Sequence, residues 1–294
     1  MAANDSIKFE AVSGYFQHDF EEEGPGFRAT TTPKLGLIDQ PYETDAQFDP
    51  EGKKTQWERF SYFLDQLNAR GQGKTTYKLI CAIRHGQGYH NVKESQVGRT
   101  EWDRHWSHLE TDGKLVWFDS FLTEEGENQA RKLNTFWEES IRDFKMPPPQ
   151  KYYTSPLARC LKTTKLAYSG LQVPSDRPFK PIVKENLRER FGVHTCDRRR
   201  PRSWIAHEYP EYEIERGFVE NDEYWKAEVR ESDEEINSRM TALLNDIFSD
   251  KSSTVVSLTA HSGVLRALYS VTKHRQVWVA AGSVVPLLVK AEVA

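Results

Sequence analysis

Tyr77-Lys78-Leu79-Ile80-Cys81-Ala82-Ile83-Arg84-His85-Gly86 is the stretch that decides the fold. A buried-looking apolar run of strand length ends abruptly in a cation, an imidazole and a glycine. Open α/β sheets gather their ligands at such strand ends. Arginine there suits an oxyanion, because its planar fork makes bidentate bonds. Histidine there is a candidate nucleophile. A plain polar strand-to-loop junction would carry the same three residues, so the rest of the chain has to decide.

Further strand-sized runs lie at 150–154, 179–184, 254–259 and 284–290, with helical periodicity between them. Glu124 to Phe144 carries Ala130, Leu133, Trp137 and Ile141 on one side. Ser155 reads as an N-cap and Pro156 as the first residue of a helix over 156–168. Ser232 with Glu235 is a capping-box pair ahead of Met240, Leu243, Leu244 and Ile247. Strands alternating with helices predict a three-layer α/β/α fold around a mostly parallel central sheet. That domain occupies 76–294. Residues 1–75 form an N-terminal extension with turn signals at Gly24-Pro25-Gly26, Thr30-Thr31-Thr32-Pro33 and Gln40-Pro41. Its one periodic segment, 55–68, places Trp57, Phe60, Phe63, Leu64 and Leu67 at helical spacing. Those aromatics need burial, so the extension is expected to pack onto the main domain.

With 294 residues, 37% hydrophobic and 29% charged, the chain can bury a large core under a well-charged surface. A net charge of −4 gives no support to general nucleic-acid binding. No apolar run approaches the roughly 20 residues of a membrane span, and the N-terminus lacks a basic region followed by an apolar one. Cys81, Cys160 and Cys196 are too few and scattered for a disulfide framework or a zinc site. Reduced thiols in a cytoplasmic or nuclear compartment are the expectation.

Four more segments fall at element ends. Leu122-Thr123-Glu124-Glu125-Gly126 reads as a helix start, with Thr123 as N-cap and two carboxylates in the first turn. In Ser155-Pro156-Leu157-Ala158-Arg159, an arginine sits in a first helical turn, where the helix dipole disfavours it. It makes sense beside an anion, or in a salt bridge to a neighbouring carboxylate. Glu189, within Leu187-Arg188-Glu189-Arg190, either pairs with an arginine or protonates a leaving group. Finally, Thr254 to Thr259 runs into Ala260-His261-Ser262-Gly263, repeating the architecture of the opening stretch.

Taken in order, Arg84-His85-Gly86 with Asn91, Leu122-Thr123 with Gly126, Ser155-Pro156-Leu157 with Arg159, then Glu189, then His261-Ser262-Gly263 resemble the histidine phosphatase superfamily. The likeness is to the branch holding phosphoglycerate mutases and related phosphatases, over about 77–290. It looks closest to fungal phosphoglycerate-mutase-like phosphatases. The resemblance implies that His85 is the nucleophile and that His261 lies against the same phosphate. Arg84, Arg159 and Asn91 would hold phosphate oxygens, and Glu189 would serve as general acid, then base, with Glu185 as a lower-ranked alternative. The substrate would be a small phosphorylated molecule, with no metal and no cofactor. Mutases typically read Arg-His-Gly-Glu-Ser-x-Trp-Asn, where this chain has Gln87, Gly88 and His90. That departure favours net hydrolysis over phosphoglycerate mutase activity and makes Gln87, Gly88 and Ser262 candidate substrate contacts. A silent phosphatase-like binding module is the remaining alternative.

Asp197-Arg198-Arg199-Arg200-Pro201-Arg202 is a basic cluster in a mildly acidic chain. It reads as a solvated loop, a nuclear localisation patch, or an insertion overhanging the pocket whose Arg199 and Arg200 bind further anionic groups. His90, Trp102, His105, Trp106 and Trp117 read mainly as core or lid packing, and Cys160 and Cys196 as structural.

Overall fold

A computed structural model describes residues 7–20, 26–175 and 177–293. Gly24 and Pro25 of the first turn signal, and residues 1–6, lie outside the described residues. Seven strands form one sheet: β1 (Ile7–Ala11), β2 (Thr75–Arg84), β3 (Lys151–Thr154), β4 (Ile182–Val183), β5 (Glu213–Ile214), β6 (Val255–Ala260) and β7 (Val284–Val293). Their order is β1-β7-β2-β6-β3-β4-β5. From β2 to β5 every pairing is parallel. β7 runs antiparallel between β2 and β1. The helices are α1 (Asp45–Phe48), α2 (Gln56–Arg70), α3 (Tyr89–Val97), α4 (Arg99–Arg104), α5 (Glu124–Phe144), α6 (Ala158–Tyr168), α7 (Arg202–Glu208), α8 (Asp233–Ser249) and α9 (Ser262–Val271).

The period-two alternation of β2 sorts its side chains between two cores. Ile80 and Ala82 join Ile236, Met240, Leu243, Leu244 and Ile247 of α8 and Val264, Leu265 and Leu268 of α9. Leu79, Cys81 and Ile83 face the opposite layer, with Trp57, Phe60 and Leu64 of α2 and Leu133 and Trp137 of α5. The result is three α/β/α layers, each helix burying one stripe. Fully burying one such aliphatic side chain contributes about 1.5–3 kcal/mol. Lys78 is the one charged residue of β2 held inside. Its ammonium donates to the Asp250 and Ser253 carbonyls, and burial pulls its pKa down to about 8.

The N-terminal segment is built into this frame. β1 completes the antiparallel edge, and Phe16, Leu35, Leu37 and Tyr42 share the α2 core. Thr55 caps α2 by accepting from the Glu58 N–H, with the Glu58 carboxylate returning the bond. Ser232 and Glu235 do the same for α8.

One local expectation gives way. α6 begins at Ala158 behind Leu157, so Ser155 is not its N-cap and Pro156 lies before it. The Ser155 hydroxyl is engaged instead with the His261 ring at 2.8 Å.

Candidate active site

Parallel strands put their C-terminal ends on one edge, and three adjacent strands deliver the sequence-predicted residues there. Arg84 ends β2 in register with Ala260, the last residue of β6. Thr154, the end of β3, pairs with Thr259. Past these ends, the His85 N–H donates to the Ala260 carbonyl at 3.1 Å and the Ser155 N–H to the Thr259 carbonyl at 3.0 Å. His85 and His261 thus lie side by side, ring centroids 5.0 Å apart. The backbones of Gly86 and Gly126 touch so closely that a Cβ on either would strike the other segment. This contact seats the start of α5 beneath the loop, where Thr123 caps it by accepting from Gly126.

His85 is buried, and its two ring nitrogens have different partners. Nδ1 lies 2.7 Å from the Gly86 carbonyl, so it carries the proton. Nε2 accepts from Arg159 Nε at 3.2 Å. Burial first, then the positive charge of Arg159 and Arg84, push the His85 pKa well below 6.5. The ring is neutral at neutral pH, with a lone pair on Nε2. His261 is also pushed well below 6.5, by burial foremost and then by the charge of Arg159. Its Nε2 meets the Ser155 hydroxyl at 2.8 Å and Cys160 Sγ at 3.3 Å.

Arg159 is fully engaged. Besides His85, it donates to the Cys196 carbonyl at 2.6 Å and to Asp197 Oδ1 at 2.9 Å. Of the two readings of this arginine the structure shows the salt bridge, a buried ion pair with Asp197, and it also places Arg159 against the His85 ring. Burial works against the Asp197 charge, but Arg230 and Arg159 outweigh it and lower the pKa. Arg84 is different. One terminal nitrogen donates to the Val279 carbonyl at 3.0 Å, while its buried Nε has no partner.

Glu189 faces these groups from the loop after β4. Oε2 accepts from the Gly263 N–H at 3.0 Å, and Oε1 from the Arg190 N–H at 3.0 Å. Ser262 lies beside the same carboxylate at 3.5 Å. Asn91 gives its side-chain oxygen to the Gly88 N–H at 3.0 Å, which caps α3. Arg84, His85, Asn91, Arg159, Glu189 and Ser262 line a cleft of about 710 Å³ whose walls hold seven arginines against four carboxylates; His261 is fully buried beside His85 and is not part of those walls.

Several predicted contacts lie elsewhere. Gln87 and Gly88 do not line the cleft. The Gln87 side chain accepts from the Thr123 hydroxyl at 2.9 Å, and its N–H donates to Gln129, so it braces the loop against α5. Arg199 and Arg200 are also absent from the walls. Buried Arg199 pairs with Glu185 and donates to four backbone carbonyls. Arg200 pairs with buried Asp119 at 2.9 Å. Glu185, bound by Arg188 and Arg199, is a structural carboxylate.

Other residues enter the site without a local signal. His90 is a third buried cleft imidazole, 5.5 Å from His85 by ring centroid, and its Nδ1 has no partner. Asp197 returns to Arg159 through a tight turn at Gly192 and Val193, where φ is +80° and +61°. A β-branched residue at that φ costs on the order of 1–3 kcal/mol. Trp102 and Trp117 pack against Cys196 behind the wall. Among the described residues, His194, Cys196 and Asp197 could geometrically offer three ligands to a metal ion. Two guanidiniums already hold that carboxylate, and burial raises the thiol pKa well above normal, which does not suit a cation.

Buried neutral imidazoles at parallel strand ends, flanked by an open arginine and a carboxylate, define a phosphate-handling α/β cleft. The chain belongs to the histidine phosphatase superfamily (branch 1), whose family model matches residues 80–279. It is 44% identical over 286 residues to a probable phosphoglycerate mutase of Arthroderma benhamiae, covering 97% of this chain and 85% of that one. A phosphomutase-like protein of Candida albicans is 35% identical over 73% of this chain and 66% of its own. A probable phosphoglycerate mutase of Saccharomyces cerevisiae is 29% identical, covering 98% and 97%. No helix among the described residues is long and apolar enough to cross a membrane.

Proposed function

We propose that the cleft hydrolyses a small phosphate monoester through a phosphohistidine on His85. What carries this reading is the pair of bonds on that ring, which fix the proton on Nδ1 and leave the Nε2 lone pair inside the cleft. His85 Nε2 attacks phosphorus and the bond to the leaving oxygen breaks. Glu189, protonated, gives its proton to that oxygen. Water then attacks phosphorus, Glu189 takes back a proton, and the N–P bond pair returns to Nε2. One difficult displacement becomes two easier ones. Arg84 and Arg159 supply preorganised positive charge to the transferring group, so the step needs no metal ion. Asn91 and His90, whose Nδ1 has no hydrogen-bond partner, line the same cleft and would meet further phosphate oxygens, with His261 backing the His85 ring. The five residues retained at the site (Arg84, His85, Arg159, Glu189 and His261) argue against a silent binding module.

The names of the relatives favour a second reading, transfer of the phosphoryl group between two positions of a phosphoglycerate. Release of inorganic phosphate from a panel of phosphorylated metabolites, measured beside isomerisation of phosphoglycerate, separates the two. In either case His85→Ala is expected to lose activity by roughly 1000-fold or more while remaining folded. Wild-type turnover in that variant would end the phosphohistidine reading.

A further inference from the structure

The sequence places extra anion binding at Arg199 and Arg200, both of which the fold commits internally. Exposed arginines gather instead at the mouth of the cleft. Arg28 and Arg266 both line it, and both stand over one indole: their guanidinium carbons lie 4.9 Å and 4.6 Å from the Trp278 ring. Arg266 rides on α9, one turn beyond Ser262 and Gly263 of the catalytic edge. Arg28 comes from the N-terminal segment, far away in sequence. Its recorded hydrogen bond goes to the Phe27 carbonyl, and neither guanidinium has a carboxylate partner among the described residues.

This juxtaposition is held in place by the backbone. The Ala29 N–H donates to the Trp278 carbonyl at 2.7 Å, and the Ala280 N–H to the Ala29 carbonyl at 2.8 Å. Further back, Asp19 receives three N–H groups of its own turn and meets His274 at 3.2 Å. Arg275 donates twice to the His18 carbonyl. The fold thus clamps two like charges against a single ring, beside an open cleft, and among the described residues no carboxylate forms an ion pair with either. Arg28 is also close enough for its charge to add to burial in lowering the Arg84 pKa. An anion bridging the mouth and the floor would relieve that repulsion at both ends.

We propose that Arg28, Arg266 and Trp278 form a second anion subsite, so that the preferred substrate is a small phosphate monoester bearing another anionic group away from the scissile one. The inference rests on the phosphatase reading of the His85 floor. It gives the N-terminal extension a function, because the extension supplies one of the two substrate-selecting arginines.

Calorimetric titration tests this on the full chain in a His85→Ala background, which cannot pass phosphate to His85, with inorganic phosphate, tripolyphosphate and fructose 1,6-bisphosphate as probes. The double variant R28A/R266A removes only exposed side chains, and an unchanged melting temperature confirms its fold. It should weaken tripolyphosphate or the bisphosphate by roughly tenfold or more, as expected for losing charge-assisted bonds, and inorganic phosphate by less than about twofold. The double variant R28K/R266K, which keeps the charge without the fork, should recover part of the loss. Unchanged affinity for both polyanions, or an equal loss for all three probes, would overturn the subsite. Because binding is read without turnover, this outcome stands apart from the turnover of His85→Ala, which alone judges the phosphohistidine.

Discussion

Two groups of buried arginines lie close together in this molecule and are used in opposite ways. Arg188, Arg199 and Arg239 are each paired with buried carboxylates, although the Nε of Arg188 is left without a hydrogen-bond partner. Arg188 holds Glu185, Asp222 and a carbonyl; Arg199 holds Glu185 and four carbonyls; Arg239 holds Glu231 and three carbonyls. Arg84 has one carbonyl and an orphaned Nε, and Arg159 spends one nitrogen on His85. A buried donor without a partner costs roughly 1–3 kcal/mol. The carboxylate-paired group cements the loops after β4, whereas Arg84, with no ion-pair partner among the described residues, keeps its capacity for a ligand. An arginine's role is therefore read from the carboxylates that the fold brings to it, and a basic run in the sequence says little about it.

Exchanging the two roles should break the comparison most visibly. Arg84→Met is expected to lower kcat by about 100- to 1000-fold with little change in urea midpoint. Arg188→Met should do the reverse, costing about 3–5 kcal/mol, because buried Asp222 would lose its ion-pair partner and Glu185 would keep Arg199 alone. Steady-state kinetics and urea titration on both variants decide this, and matching profiles would erase the distinction.

Next in size is Gly263→Ala. The added methyl would meet Glu189 Oε1. The end of a flexible side chain can yield, and alanine favours the helix by about 1 kcal/mol. The protein should be as stable as the parent or more so, yet lose roughly tenfold in kcat as the proton carrier is displaced. Unaltered kcat would show that Glu189 is not held in place by α9.

The smallest effect concerns pH. His85, His90 and His261 are held neutral by burial and nearby arginines, and His194 falls to about 4, again chiefly by burial. In the unfolded chain each titrates near 6.5. Below that value the unfolded state binds more protons than the folded one. Stability is therefore fullest above pH 6.5 and is lost as pH falls, for His194 across the window from 6.5 to about 4. Each histidine costs at most about 1.4 kcal/mol per pH unit. Urea midpoints at pH 7.5 and 5 measure the loss. A flat profile would mean that the imidazoles are not kept neutral.

Much of the architecture was legible, and the failures have identifiable causes. Strand ends carrying Arg84, His85 and His261 were visible because polar residues interrupt long apolar runs. The 179–184 run shrank to Ile182–Val183, where Pro181 has no N–H to give a ladder. β5 spans two residues, too short for any period, and β1 alternates inside a segment dominated by turn signals. The antiparallel setting of β7 depends on its neighbours, which no run of its own residues reveals. At the site, Arg159 and Glu189 were marked by position. Asp197, His90, Arg28 and Arg266 were not, because what brings them to the cleft is chain distant in sequence. Arg199 and Arg200 misled for the converse reason, since the residues that neutralise them are also distant.

Ile7 and Val293 are direct partners in the β1–β7 ladder, so the two ends of the described chain lie side by side. A short linker could join them, and the molecule could then be opened at another surface turn without altering its layers. In such a circular permutant β1 would follow β7 as an ordinary hairpin. The segment bearing Arg28 would then become an insertion inside the domain, showing that its place in the gene order is incidental to its place in the sheet.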